Sequence, residues 1–213
     1  MESATERQSP PAPEAHEPSA QKADPPRVEK ARRFLTSLGE FVEVALVALA
    51  IIIPVRYFLV QPFYVRGASM EPSFYDHEYL IIDELSYRFR DPERGEIVVF
   101  RYPFDPGQFF IKRIIGLPGE RVRLSQGNIH IANAAQPDGF TLPESYLGGA
   151  GTPGERSVEL GEEEYFVMGD NRNASLDSRI FGPVKRTFIV GRVWLRGWPL
   201  SRIGHFATPA YNF

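Results

Sequence analysis

The chain has 213 residues, with 24 Lys and Arg against 27 Asp and Glu, a formal charge of −3 and no cysteine. This weakly acidic balance leaves no basic footprint for nucleic acid, and without thiols there is no disulfide, thiolate metal site or cysteine nucleophile. Nineteen prolines and eighteen glycines argue against a helical bundle and for short strands joined by turns.

Residues 1–28 mix Pro, Glu, Ala, Ser and Gln with no aliphatic run. Such a segment buries too little to offset its ordering entropy, so a disordered tail is expected, closing at residue 33. Residues 41–60, FVEVALVALAIIIPVRYFLV, are the most apolar stretch. A helix needs about 20 apolar residues to cross a bilayer, and the charge-free core here runs only from Val44 to Val55. Bulky residues follow it where a cleavable leader would show small ones. Residues 34–60 are therefore expected to form an uncleaved transmembrane anchor with its flank, the lipid bilayer being its partner. Lys22, Arg27, Lys30, Arg32 and Arg33 precede the span, against Arg66 in the window after it. The positive-inside bias puts the tail in the cytoplasm and residues 61–213 outside the plasma membrane.

From residue 61 the pattern is β. Tyr79-Leu80-Ile81-Ile82, Ile97–Tyr102, Glu164–Met168 and Ile189–Leu195 are β-branched and aromatic between turn residues. Arg121–Leu124 and Ile129–Ile131 alternate around Ser125-Gln126-Gly127-Asn128, a hairpin signal. Residues 133–160, rich in Gly, Pro and Glu, read as loop. About 150 residues suffice for one sizeable core, so a single extracytoplasmic β-rich domain is expected.

Two residues stand out against that pattern. Ser69 lies in Arg66-Gly67-Ala68-Ser69-Met70-Glu71-Pro72, and Lys112 lies on a strand-like segment beginning Phe110-Ile111. A lysine among apolar strand residues is rare unless it is put to use. Apolar surroundings would keep its amine neutral, able to take the proton of a serine hydroxyl. The pair reads as a serine–lysine hydrolase beside a membrane. The four histidines show no ligand spacing, and neither a metal nor a cofactor is expected.

The Ser69 and Lys112 segments, Arg94–Phe100 and Met168–Arg179 together resemble the bacterial type I signal peptidases, in the family's order and after an anchor. The resemblance implies a mainly antiparallel β, LexA-like catalytic domain. It also implies a membrane-bound serine endopeptidase that removes signal peptides from exported preproteins, cutting after small residues in the Ala-X-Ala manner. It places the nucleophile at Ser69 and the general base at Lys112, has Ser175 orient the lysine amine, and makes Asp177 and Arg179 a structural brace. The oxyanion would rest on the Ser69 backbone N–H. Gly67, where some members carry a serine whose hydroxyl completes the hole, is the second oxyanion-hole candidate, and a glycine there leaves the hole resting on backbone donors. Phe63, Val65 and Met70, which flank Ser69, are the candidate pocket residues. Two other readings stay open: another serine–lysine protease, and a non-enzymatic anchored β-domain serving as a scaffold in secretion. The oligomeric state is not legible.

Overall fold

The computed structural model describes residues 27–54, 61–206, 208, 209 and 211, the side chains of 27–33, 54 and 61 excepted. Helix α1 spans Arg27–Pro54. It thus begins inside the segment expected to be tail: apart from Val28, the run from Arg27 to Arg33 is made of good helix formers. Pro54, the last described residue of the helix, lacks the N–H that would donate within it. Phe34–Ile53 within it has a mean hydropathy of 2.0 and is long and apolar enough to cross a membrane. The expected disordered tail over 1–26, and residues 55–60 of the expected anchor, lie outside the described residues.

The remainder is mainly antiparallel β. The larger sheet uses β1 (Gln61–Tyr64), β2 (Tyr79–Asp83), β3 (Ile97–Tyr102) and β4 (Asp105–Gly116). It is completed by β9 (Glu164–Met168), β10 (Val184–Lys185), β11 (Ile189–Trp198) and β12 (Gly204–His205). Its order is β1-β2-β11-β3-β4-β9-β10, with β12 added on β11. The Ile97-Val98-Val99-Phe100 run of β3 is buried on both faces, which is why it does not alternate in polarity. Ile97 and Val99 pack with Val65, Met70, Phe74, Leu80, Ile82 and Val193 on one face. Val98 and Phe100 pack with Ile114, Val167 and Val184 on the other.

A second sheet, ordered β7-β6-β5-β8, is built from β5 (Arg121–Ser125), β6 (Asn128–Ala132), β7 (Phe140–Thr141) and β8 (Arg156–Glu159). The β5–β6 hairpin turns on Gln126 and Gly127, both with positive φ of 51° and 79°, the requirement of a two-residue primed turn. Val122, Leu124, Ile129 and Ile131 alternate inward onto Phe166 and Met168. Residues 133–160 are not all loop. They hold β7 and β8, which are two and four residues long and carry little apolar signal because β8 is exposed at an edge.

Candidate active site

Ser69 follows β1 on a tight turn in which Glu71 N–H donates to Ala68 O at 3.2 Å and Phe74 N–H to Met70 O at 2.9 Å. Met70 and Phe74, 1% and 0% exposed, nail this turn into the core and leave Ser69 half-buried above it. The Ser69 carbonyl accepts from Asn171 N–H at 3.0 Å, which ties the turn to the loop after β9.

Lys112 projects from the middle of β4, 4% exposed. Its Nζ lies 2.8 Å from Ser69 Oγ and donates to the Ile111 carbonyl, also at 2.8 Å. The Phe110 ring centroid is 5.6 Å from the amine. Burial among such groups lowers the amine from the ordinary lysine value of 10.5 to about 8, against the opposing pull of the Asp177 and Asp170 charges. The amine is thus half neutral near pH 8 and within reach of the hydroxyl it would deprotonate.

The side chain of Arg113 takes the other face of the strand. Arg113 Nε and Nη2 donate to Asp170 Oδ1 and Oδ2 at 2.9 and 2.7 Å, and Nη1 donates to Gly95 O at 2.8 Å. Ser73 Oγ donates to the same carboxylate at 2.6 Å. Asp170 therefore holds the Ser69 turn, through Ser73, to the strand that carries Lys112, through Arg113.

Asp177, fully buried, caps the short helix α2 (Ser178–Phe181) by accepting from Arg179 N–H. It accepts from Arg179 Nε and Nη2 at 2.9 and 2.8 Å, and from Gly169 N–H at 3.1 Å. Gly169 has no room for a side chain: a Cβ there would overlap both Ser175 Oγ and the Ser69 carbonyl. This close approach brings the third motif against the Ser69 turn.

Three of the expected assignments differ in the structure. Ser175 Oγ is buried and makes no bond to the Lys112 amine; it faces the Asp177 carboxylate instead, whose pKa it helps to lower. Gly67 N–H donates to Asp76 Oδ1 at 2.9 Å and is not free for an oxyanion, whereas Ser69 N–H has no acceptor among the described residues. Gly67 itself holds a left-handed φ of +84°, needed to bend the chain out of β1. Met70 is core, not pocket, because the residue after Ser69 turns inward beneath it.

Phe63 and Val65 do line the cleft at Ser69 and Lys112, a volume of about 560 Å³. Leu80, Val99 and Ile111 form its apolar floor, while Tyr64, Arg66, Gln108, Phe109 and Leu176 reach it from the sides. Most of these lie on β2, β3, β4 and the loop after β9, far from Ser69 in sequence, so adjacency to the nucleophile does not point to them. The two walls are open β edges. Among the described residues the larger sheet ends at β1, and β9 pairs with β4 only over Arg113–Gly116, so residues 105–112 have no strand partner on that side. Among the described residues no group of His, Asp and Glu could hold a metal.

The family model described as "Signal peptidase, peptidase S26" matches residues 38–198. "Probable signal peptidase I-2" of Synechocystis sp. is 42% identical over 163 residues, 74% of this chain and 72% of the relative. "Signal peptidase I" of Leptolyngbya laminosa is 34% identical over 211 residues, 95% and 94% of the two chains. "Signal peptidase IB" of Staphylococcus aureus is 30% identical over 175 residues, 76% and 91%. By the family match, which includes both Ser69 and Lys112, the chain belongs to the signal peptidase family, peptidase S26.

Proposed function

We propose that this chain is a membrane-anchored serine endopeptidase that removes N-terminal signal peptides from preproteins, with Ser69 as nucleophile and Lys112 as general base. The observation that carries the assignment of roles is the 2.8 Å approach of the Lys112 amine, lowered to about 8, to Ser69 Oγ. An extended peptide adds a strand between the open edges of β1 and β4, its backbone hydrogen bonds supplying affinity and alternate side chains entering the apolar floor. Small side chains at −1 and −3 suit that floor, since Val65, Leu80 and Val99 leave no polar partner for longer polar groups.

Ser69 Oγ attacks the scissile carbonyl as its proton passes to neutral Lys112, and the Ser69 N–H donates to the developing oxyanion. The ammonium then gives that proton to the leaving amine, and the mature chain departs. Water, deprotonated by Lys112, hydrolyses the acyl-serine ester and frees the signal peptide with the original serine. The helix spanning Phe34–Ile53 anchors the enzyme in the bilayer, with its N-terminal flank cytoplasmic and the β domain extracytoplasmic, as the basic residues before the span favour.

The test is processing of a purified preprotein whose signal ends in Ala-X-Ala by the detergent-solubilised chain. Cleavage after the last Ala by the wild type, abolished in Ser69→Ala and Lys112→Ala, is the expected result. Equal cleavage by either variant removes the dyad. A folded wild type that cleaves nothing favours a binding role.

A further inference from the structure

We infer that Arg66 is a specificity-determining residue, selecting substrates with an acidic side chain at −2, the X of Ala-X-Ala. The inference rests on the peptidase reading above and carries it to a position that small-residue selection leaves open.

Alternation along the chain from Phe63 to Arg66 sets the geometry. Val65 is buried and Phe63 half-buried, whereas Tyr64 and Arg66 are exposed, yet all four reach the cleft. A peptide strand laid against β1 alternates in the same way. When its −1 and −3 side chains enter the floor at Val65, Leu80 and Val99, the −2 side chain emerges on the side of Tyr64 and Arg66.

Electrostatics sets the preference. Arg66 makes no ion pair among the described residues, and the cleft lining contains no carboxylate. Its nearest carboxylate in sequence beyond the turn, Asp76, is occupied by the Gly67 N–H and by His77 Nδ1 at 3.0 Å. The guanidinium is held instead by the Tyr64 ring, its Cζ 6.0 Å from the centroid. Tyr64 is in turn fixed by edge contacts with Tyr79 at 5.0 Å and His77 at 5.6 Å. A cation so placed has its fork of donors unused and matches a carboxylate in two parallel hydrogen bonds. A lysine at −2 meets the same charge and is disfavoured.

The experiment compares one peptide in three versions, with Glu, Gln or Lys at −2 between the two alanines. The full chain in detergent, Arg66→Gln and Arg66→Glu are assayed for kcat/KM at low and high salt. The expected wild-type order is Glu over Gln over Lys, with Glu exceeding Lys by roughly three- to tenfold at low salt and less at high salt, as for an exposed pair. Arg66→Gln flattens the order and Arg66→Glu inverts it. Equal rates for the three peptides in the wild type, or an order that persists in Arg66→Gln, overturn the inference while leaving the peptidase reading intact. Failure of the wild type to cut any of the three overturns that reading and the inference with it.

Discussion

Lys112 and Arg113 are consecutive on β4, yet their side chains serve opposite faces of the sheet: the amine meets Ser69 Oγ at 2.8 Å and the guanidinium meets Asp170 at 2.7 Å. The pleat separates a base that can be neutral from one that cannot. Arg113 keeps its charge in a buried ion pair, and Lys112 is left in apolar surroundings with no carboxylate bonded to it.

Activity should therefore follow the neutral fraction of Lys112. Because burial lowers the amine to about 8, kcat/KM is expected to rise tenfold per pH unit below that value and level off above it. Lys112→Arg keeps the charge and cannot lose its proton near neutral pH, so it should be as inactive as Lys112→Ala, between about 10²- and 10⁴-fold below wild type. A peptide-cleavage pH profile checks both; an Arg variant with wild-type activity would remove Lys112 as the base.

Asp177 tunes that profile. Its charge raises the Lys112 pKa, so Asp177→Asn should move the acid limb below its wild-type midpoint near pH 8. The same change replaces one accepting oxygen by an amide N–H₂ and so loses the bonds that Arg179 Nη2 and Gly169 N–H make to Oδ2, and the variant should also be less stable at neutral pH. Burial alone would raise the Asp177 pKa, and the Arg179 bonds more than offset it, holding it below the usual 3.8. The stability it contributes is thus present above the ordinary carboxylate range and lost as pH falls through the lowered value. A midpoint that stays put or rises in Asp177→Asn would show that the carboxylate does not act on the amine.

The strands were legible where burial left a pattern. β3 announced itself as a continuous apolar run and β5–β6 as alternation around Gln126-Gly127. β7 and β8 were not legible, since they are short and lie at the edges of their sheet. Ser69 and Lys112 were legible because a lysine in Phe-Ile-Lys-Arg-Ile-Ile breaks the logic of a core strand. Met70 was misplaced because adjacency to a nucleophile in sequence says nothing about which way the turn aims the next side chain. The Gly67 N–H bond to Asp76 and the Ser73 bond to Asp170 join residues 9 and 97 positions apart. Hydrogen-bond partners at such separations are fixed only by the folded chain.

The Arg113–Asp170 pair should be worth more to the site than to stability as such. Arg113→Met leaves a fully buried carboxylate with only Ser73 as donor, and destabilisation of about 3–5 kcal/mol is expected. Replacing both partners by apolar residues should recover much of that loss in denaturant unfolding. Activity should not recover with it, because the Ser69 turn and β4 would no longer be held by a shared carboxylate. A double variant that regains stability and full kcat would show that the dyad needs no such brace.

The buried amine itself works against the fold. Unfolded, Lys112 titrates near 10.5; folded, it titrates at about 8, so between these values the unfolded chain binds more protons. Stability must then rise with pH across that window and carry its full penalty below it. That penalty is on the order of 3 kcal/mol for a lysine this well buried. Lys112→Met, similar in length and uncharged, should therefore be more stable than wild type, by most at pH 6 and by little at pH 11. The measurement is the difference in unfolding free energy between the two proteins in the same detergent at several pH values. A difference that does not change with pH would mean that Lys112 is no more deprotonated in the folded chain than in the unfolded one. Ser69 would then have no neutral amine beside it at the pH where the alkaline limb begins.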